Sequence, residues 1–253
     1  MRYGASLDLR MADSPEQFID YLDSLDLSHV EIRKSYLDTR ANPPAATHLA
    51  DLRESYDVTY TLHAPYTDWN PGNLHEPLRQ AARDSIVRTL DLAAAIGADA
   101  VVVHGGAVRR NYPDDVKAHA RRQAVRTIRE AARHADDVGV HLCVENQRRK
   151  TKKRYNTSTP SRLAAFLDDV GVDSDYLGVT LDIGHAKATG VEYQAFADRF
   201  GSRIKVTHLH DNDGRNDDHD PLPDYESVAT DIGAPFNVLE MKSKADIERC
   251  VSA

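Results

Sequence analysis

The stretch EPLRQAARDSIVRTLDLAAAIGADAVVVHGG (residues 76–106) carries one whole repeat of the fold. Its first part is amphipathic, with apolar residues returning every three or four positions, and it closes on Gly97, where a helix end favours glycine. A β-branched run, AVVVHG (100–105), follows almost at once. The next segment repeats the order: DDVKAHARRQAVRTIREAARHADDVG (114–139) is amphipathic, ends on Gly139 and runs into VHLCVE (140–145). A helix handing over to a short apolar strand, twice in succession, points to a parallel sheet, because parallel neighbours need a crossover.

The same alternation extends in both directions. Strand patterns upstream are YGASLDL (3–9), HVEI (29–32) and VTYTLH (58–63); downstream they are LGVTLD (177–182), RIKVTHL (203–209) and FNVLE (236–240). Helical patterns fill the intervals: SPEQFIDYLDSL (14–25), PAATHLADLRESY (44–56), STPSRLAAFLDDVG (158–171), EYQAFADRFG (192–201), YESVATDIG (225–233) and KADIERCVS (244–252). Eight strands alternating with eight helical segments predict an α/β fold, a single-domain (β/α)8 TIM barrel over residues 1–253. The rival is a doubly wound open sheet.

Composition bounds the setting. Hydrophobic residues make up 41% of the chain, enough for a full core, and the formal net charge is −8. The acids are 30 Asp to 10 Glu and the bases 23 Arg to 9 Lys, a bias that fits salt adaptation or GC-rich coding better than a particular partner. Cys143 and Cys250 are the two cysteines and read as free thiols. No apolar run approaches the ~18–20 residues of a membrane span, and the start has no secretory pattern. The expectation is a cytoplasmic protein with no membrane partner.

Polar residues fall at telling places on this frame. The third strand ends in His63, the fourth in His104, the fifth in Glu145, the sixth in Asp182, the seventh at His208 and the eighth in Glu240. In a parallel barrel all these ends face one rim, where sites of this fold are built. Three carboxylates converging there would repel one another unless a cation neutralised them. The segment HLHDNDGRNDDHDP (208–221) leaves the seventh strand at that rim, so its ligands are aimed at the same point. Oxygen and imidazole without thiolate suit Mn, Zn, Co or Fe as the divalent metal. Cys143 shares the face of Glu145 one layer deeper and reads as core packing.

Together LHAPYTDWNPGNL (62–74), VVVHGG (101–106), VEN (144–146), GVTLDIGHAKATG (178–190), HLHDNDGRNDDHDPL (208–222) and VLE (238–240) resemble the xylose-isomerase-like barrel superfamily. In its sugar-phosphate isomerase and epimerase branch, the resemblance implies one divalent metal on Glu145, Asp182, His208 and Glu240. The two glutamates would shuttle a proton through an enediolate, and His185 would touch substrate oxygens. In its endonuclease IV branch, the resemblance implies three zinc ions, with His63, His104, His185, Asp217 and His219 as additional ligands. The reaction would then be attack of a metal-bound hydroxide on a phosphodiester at an abasic site.

The segment DIGH (182–185) and HDN (210–212) after His208 resemble the sugar enzymes more than the nucleases. The expectation is therefore a metal-dependent isomerase or epimerase with one metal and a sugar or sugar phosphate as its partner. An apurinic-site nuclease binding nucleic acid is the alternative, and a non-catalytic metal-binding barrel the third reading. Tyr66, Trp69, Arg148 and Arg149 are expected against the substrate. After Glu145 the loop NQRRKTKKRY holds Arg148, Arg149, Lys150, Lys152, Lys153 and Arg154, six cations in seven positions, and is either a phosphate clamp or a solvated loop.

Overall fold

Eight strands close on themselves in the computed structural model, which describes residues 1–252. In chain order the strands are β1 (Arg2–Leu7), β2 (His29–Arg33), β3 (Thr59–His63), β4 (Ala100–His104), β5 (Ala107–Arg109), β6 (His141–Glu145), β7 (Lys153–Tyr155), β8 (Leu177–Asp182), β9 (Ile204–Leu209) and β10 (Phe236–Leu239). Strands β5 and β7 form a separate antiparallel ribbon; the other eight make the barrel, all neighbours parallel. The pair that excludes an open sheet is β1 with β10, registered from Arg2 opposite Phe236 to Ala5 opposite Leu239.

The helices are α1 (Pro15–Asp23), α2 (Lys34–Asp38), α3 (Ala46–Ser55), α4 (Glu76–Ile96), α5 (Asp114–Val138), α6 (Pro160–Val170), α7 (Ile183–Thr189), α8 (Tyr193–Phe200), α9 (Tyr225–Ile232) and α10 (Lys244–Val251). Helices α4 and α5 stop where left-handed glycines, Gly97 (φ 68°) and Gly139 (φ 70°), turn the chain back to the barrel. Ser14, Thr159 and Ser243 cap the starts of α1, α6 and α10 by accepting a backbone N–H.

Sequence patterning located all eight barrel strands but missed α2, α7 and the β5–β7 ribbon. Helices of five and seven residues are too short to show a period, and a three-residue ribbon strand shows none. The basic loop after Glu145, expected to be irregular throughout, ends in β7. Glu240 sits one residue past β10 rather than at its end.

Side-chain alternation divides the barrel interior into levels. Low in the barrel, His29 stacks on Phe236. Ala100, Val102, Cys143, Val206 and Val238 pack as a separate apolar cluster, which bears out Cys143 as core packing. Two residues further along their strands stand Glu145, His208 and Glu240. Gly4 is glycine because a Cβ there would strike the His29 carbonyl on the neighbouring strand. Outside the sheet the helices cover a second, larger core that includes Leu90, Ile128, Leu142, Phe166 and Phe196, all fully buried. Each such side chain contributes about 1.5–3 kcal/mol relative to exposure.

Candidate metal centre

The carboxyl-terminal rim collects four groups of metal-binding side chains: His63–His104–Glu145, Glu145–Asp182–His185 and Asp182–His208–Glu240, which share members, and His210–Asp217–His219, which meets them through His185 and Asp182. Within each group the ligand atoms lie within 4.8 Å of one another. All nine residues named by the resemblance are therefore in one place, joined by His210.

Local structure aims each of them. Asp182 ends β8 and caps α7, its Oδ1 accepting the His185 N–H at 2.7 Å. That turn swings the His185 ring back over the strand ends, where Nδ1 lies 3.0 Å from both Glu145 Oε1 and Asp182 Oδ2. Asn146 clamps β6 to β8 by donating to the Asp182 carbonyl (2.8 Å) and accepting its N–H (2.7 Å). His63 donates Nδ1–H to the Ala64 carbonyl at 2.8 Å, which leaves Nε2 facing Glu145 Oε2 at 3.6 Å. The segment after β9 is closed by paired backbone bonds between Asp211 and Asp220, both 2.8 Å. Within it Asp213 and Asn212 satisfy turn N–H groups, while Asp217 and His219 reach inward. His219 adopts φ 53°, a strained value for a residue with a Cβ, and its Nδ1 donates to the Glu240 carbonyl at 2.6 Å.

Three participants stand outside the ligand set that the resemblance implies. His210 stacks on His219 with ring centroids 4.1 Å apart and puts Nε2 3.2 Å from Asp182 Oδ1; only glycine at 184 leaves room for its ring. Glu31 reaches His208 from inside β2, and Arg33, at the end of β2, pairs with Glu240 and lies 3.9 Å from Asp8. The pair Glu31 and Arg33, two positions apart in HVEIR and so on one face of the strand, was the available signal.

The charges are finely poised. Burial alone would raise the Glu145 carboxyl, but the neighbouring imidazoles, His104 first and then His185 and His63, hold it well below the usual range. Burial likewise opposes ionised Glu240, yet His208 and Arg33 bring it down to about 2. Burial opposes the His208 imidazolium; Glu31 and Glu240 outweigh that and push it up to about 10. Burial holds His104 and His219 down, Glu145 and Glu240 only partly offsetting it. Several buried atoms still lack hydrogen-bond partners among the described residues: His208 Nδ1, Asp217 Oδ1 and Glu145 Oε2, the last 2.9 Å from His104 Nε2 without hydrogen-bond alignment. Unmatched lone pairs inside converging carboxylates fit a divalent cation.

Above these groups opens a cavity of about 650 Å³. Glu145, Glu240, His63, His104, His185, Asp217 and His219 reach it, and Tyr66 and Trp69 stand on its wall. Asp182 and His208 lie beneath, fully buried. Of the basic loop, Lys150 and Lys153 line the cavity. The two arginines expected against substrate do not: Arg148 turns to Asp217 at 3.3 Å, and Arg149 is exposed, with its backbone N–H bound to Thr189.

Residues 19–241 match the family model described as xylose isomerase-like TIM barrel. The chain belongs to that family. An uncharacterized protein of Methanocaldococcus jannaschii is 30% identical over 183 residues, 70% of this chain and 60% of its own length. A probable endonuclease 4 of Mycobacterium ulcerans is 30% identical over 154 residues, 60% of this chain and 56% of its own length. The chain thus spans about 60% of the length of the curated relatives it matches. Among solved structures, a D-tagatose 3-epimerase-like protein superposes with TM-score 0.85 at 26% identity, covering 100% of this chain and 95% of its own. A D-psicose 3-epimerase crystallised with D-fructose shares the fold at TM-score 0.72 and 20% identity, covering 94% and 83%. Among the described residues, no helix is long and apolar enough to cross a membrane.

Proposed function

We propose that this family member is a divalent-metal-dependent isomerase or epimerase of a sugar, moving a proton at a carbon beside a carbonyl. The observation that carries the reading is a division of labour among the four central ligands. Glu145 and Glu240 line the cavity, whereas Asp182 and His208 are sealed below it. Two carboxylates are thus open to a small molecule, and two ligands are reserved for a cation. Similarity to the D-tagatose 3-epimerase-like structure supports the same reading.

Glu145, Asp182, His208 and Glu240 would hold the cation, with Mn, Zn, Co and Fe all suited to the donor set. When bound, it supplies neutralising charge and polarises a substrate carbonyl and the neighbouring hydroxyl. One glutamate, ionised, takes the proton from the carbon beside the carbonyl, and the electron pair moves onto the carbonyl oxygen to give an enediolate. The other, ionised at rest, must first take up a proton and then returns it to the enediolate. Return to the opposite face of the same carbon epimerises it; return to the neighbouring carbon isomerises the sugar. His185 would hold a substrate oxygen, and Tyr66 and Trp69, on the cavity wall, would cover the sugar and exclude water.

The test is solvent exchange. Metal-loaded protein incubated with ketoses in deuterium oxide should place deuterium beside the carbonyl, and Glu145→Gln and Glu240→Gln should each abolish it. Retained exchange in both variants would remove the glutamates from the mechanism. A second reading, phosphodiester hydrolysis, draws on the two outlying groups, His63–His104 and Asp217–His219, and on the endonuclease 4 relative. About three metal ions per chain, together with nicking of abasic duplex DNA, would favour it over about one ion per chain.

A further inference from the structure

The ribbon of β5 and β7 hangs beside the cavity with its cations arranged by register. Ala107 lies opposite Tyr155, Val108 opposite Arg154 and Arg109 opposite Lys153. Alternation puts Arg109 and Lys153 on the same face as Ala107 and Tyr155, and these four, with Lys150 and Tyr112, line the cavity. Like charges directly opposite one another cost a sheet stability. Of the nearby cations, Arg148 takes Asp217 and Lys117 takes Asp114, while Arg110, Arg149, Lys152 and Arg154 make no ion pair among the described residues and do not line the cavity. Arg109, Lys150 and Lys153 make no ion pair among the described residues, although acids outnumber bases 40 to 32 in the chain.

The arrangement is held rather than loose. Arg110 donates its backbone N–H to the Lys152 carbonyl (3.0 Å) and its Nε–H to those of Lys150 (2.8 Å) and Lys153 (3.1 Å). Asn156 ties the far end to the Gly105 carbonyl at 2.8 Å, next to His104. The Lys150 ammonium sits 5.7 Å over the Tyr155 ring, and partial burial, then Arg148, holds it below the usual lysine range. Asp68 is the remaining acid on the cavity wall outside the metal groups, and it stands on the loop between β3 and α4.

We infer that the substrate carries a phosphate group, and that Arg109, Lys150 and Lys153 on the inner face of the ribbon form its subsite. An arginine fork with two ammonium groups matches a dianion with three acceptor oxygens. This names the substrate class of the site proposed above and rests on that reading. It separates the protein from the solved epimerase crystallised with D-fructose, a neutral sugar.

The probe is inorganic phosphate, titrated calorimetrically into stoichiometrically metal-loaded protein with no free metal. Saturable binding is expected. It should weaken at least tenfold in Arg109→Gln/Lys153→Gln, with metal content unchanged and the thermal midpoint not lowered. On the unmutated protein, phosphate should also protect Lys150 and Lys153 from acylation, read by mass spectrometry, so the result does not depend on a variant. No saturable binding, or affinity equal in protein and double variant, would overturn the subsite. A 20-base-pair duplex that binds more tightly than phosphate, and loses that binding in the double variant, would overturn it in favour of a phosphodiester backbone. Phosphate occupancy answers the question whether or not sugar exchange is found, so failure here and failure of the epimerase reading are distinguishable.

Discussion

Glu31 Oε2 lies 3.1 Å from His208 Nε2 beneath the site, and both side chains are fully buried. The contact orients the imidazole and takes its Nε2–H, which leaves Nδ1, 3.5 Å from Glu240 Oε2, as the atom that would face a cation. A carboxylate behind a ligating histidine both fixes the tautomer and raises the basicity of the ligand.

Loss of that carboxylate should therefore be felt in metal affinity. Glu31→Gln is expected to weaken binding about 10- to 100-fold, with turnover largely restored at saturating metal. A competitive chelator titration reads the affinity directly. Unchanged affinity with reduced turnover would mean that Glu31 acts by some other route.

Chelation should also cost stability. Glu145, Asp182 and Glu240 converge in the barrel mouth, so a cation held by them would bind the folded chain and not the unfolded one. At a free metal concentration of 100 times Kd this linkage contributes about 2.7 kcal/mol. For a domain of this size that corresponds to a drop of about 5–10 °C in Tm when metal is removed. Calorimetry with and without chelator decides it; equal midpoints would argue against a metal held by the buried carboxylates.

Much of this site was legible in the sequence because barrel geometry turns strand ends into neighbours. Once His63, His104, Glu145, Asp182 and His208 are read as terminal residues, their convergence follows from closure alone. What escaped has physical reasons. Glu31 is interior to β2, and alternation cannot tell an inward acid near the rim from an outward one without the barrel register. His210 depends on the space left at Gly184, a packing fact invisible in composition. The basic loop was read as a clamp led by Arg148 and Arg149, but Asp217 captures the first, and the β5–β7 register turns Arg109 and Lys153 inward instead. Cross-strand pairing, not charge density, decides which cations meet the cavity.

At the other end of β2, His29 gives a prediction independent of any metal. Its ring is fully buried against Phe236, with Nδ1 2.9 Å from Thr59 Oγ1 and Nε2 3.1 Å from Thr61 Oγ1. Burial, only partly offset by Glu31, lowers its pKa to about 4, against an ordinary value of 6.5. The folded chain thus keeps the imidazole neutral, while the unfolded chain takes a proton below about pH 6.5. Stability from this group is complete above that pH and drains away as pH falls toward 4, where the folded form protonates too. The total is about 3 kcal/mol at most. His185 and His208 are raised rather than lowered and shift stability in the opposite sense, so the group must be isolated by difference. His29→Gln can keep the threonine contacts without titrating. Urea unfolding from pH 7 to pH 4 should show the stability advantage of the unmutated chain over this variant shrinking by up to that amount. An advantage that stays constant across the range would mean that His29 is not held neutral by its burial.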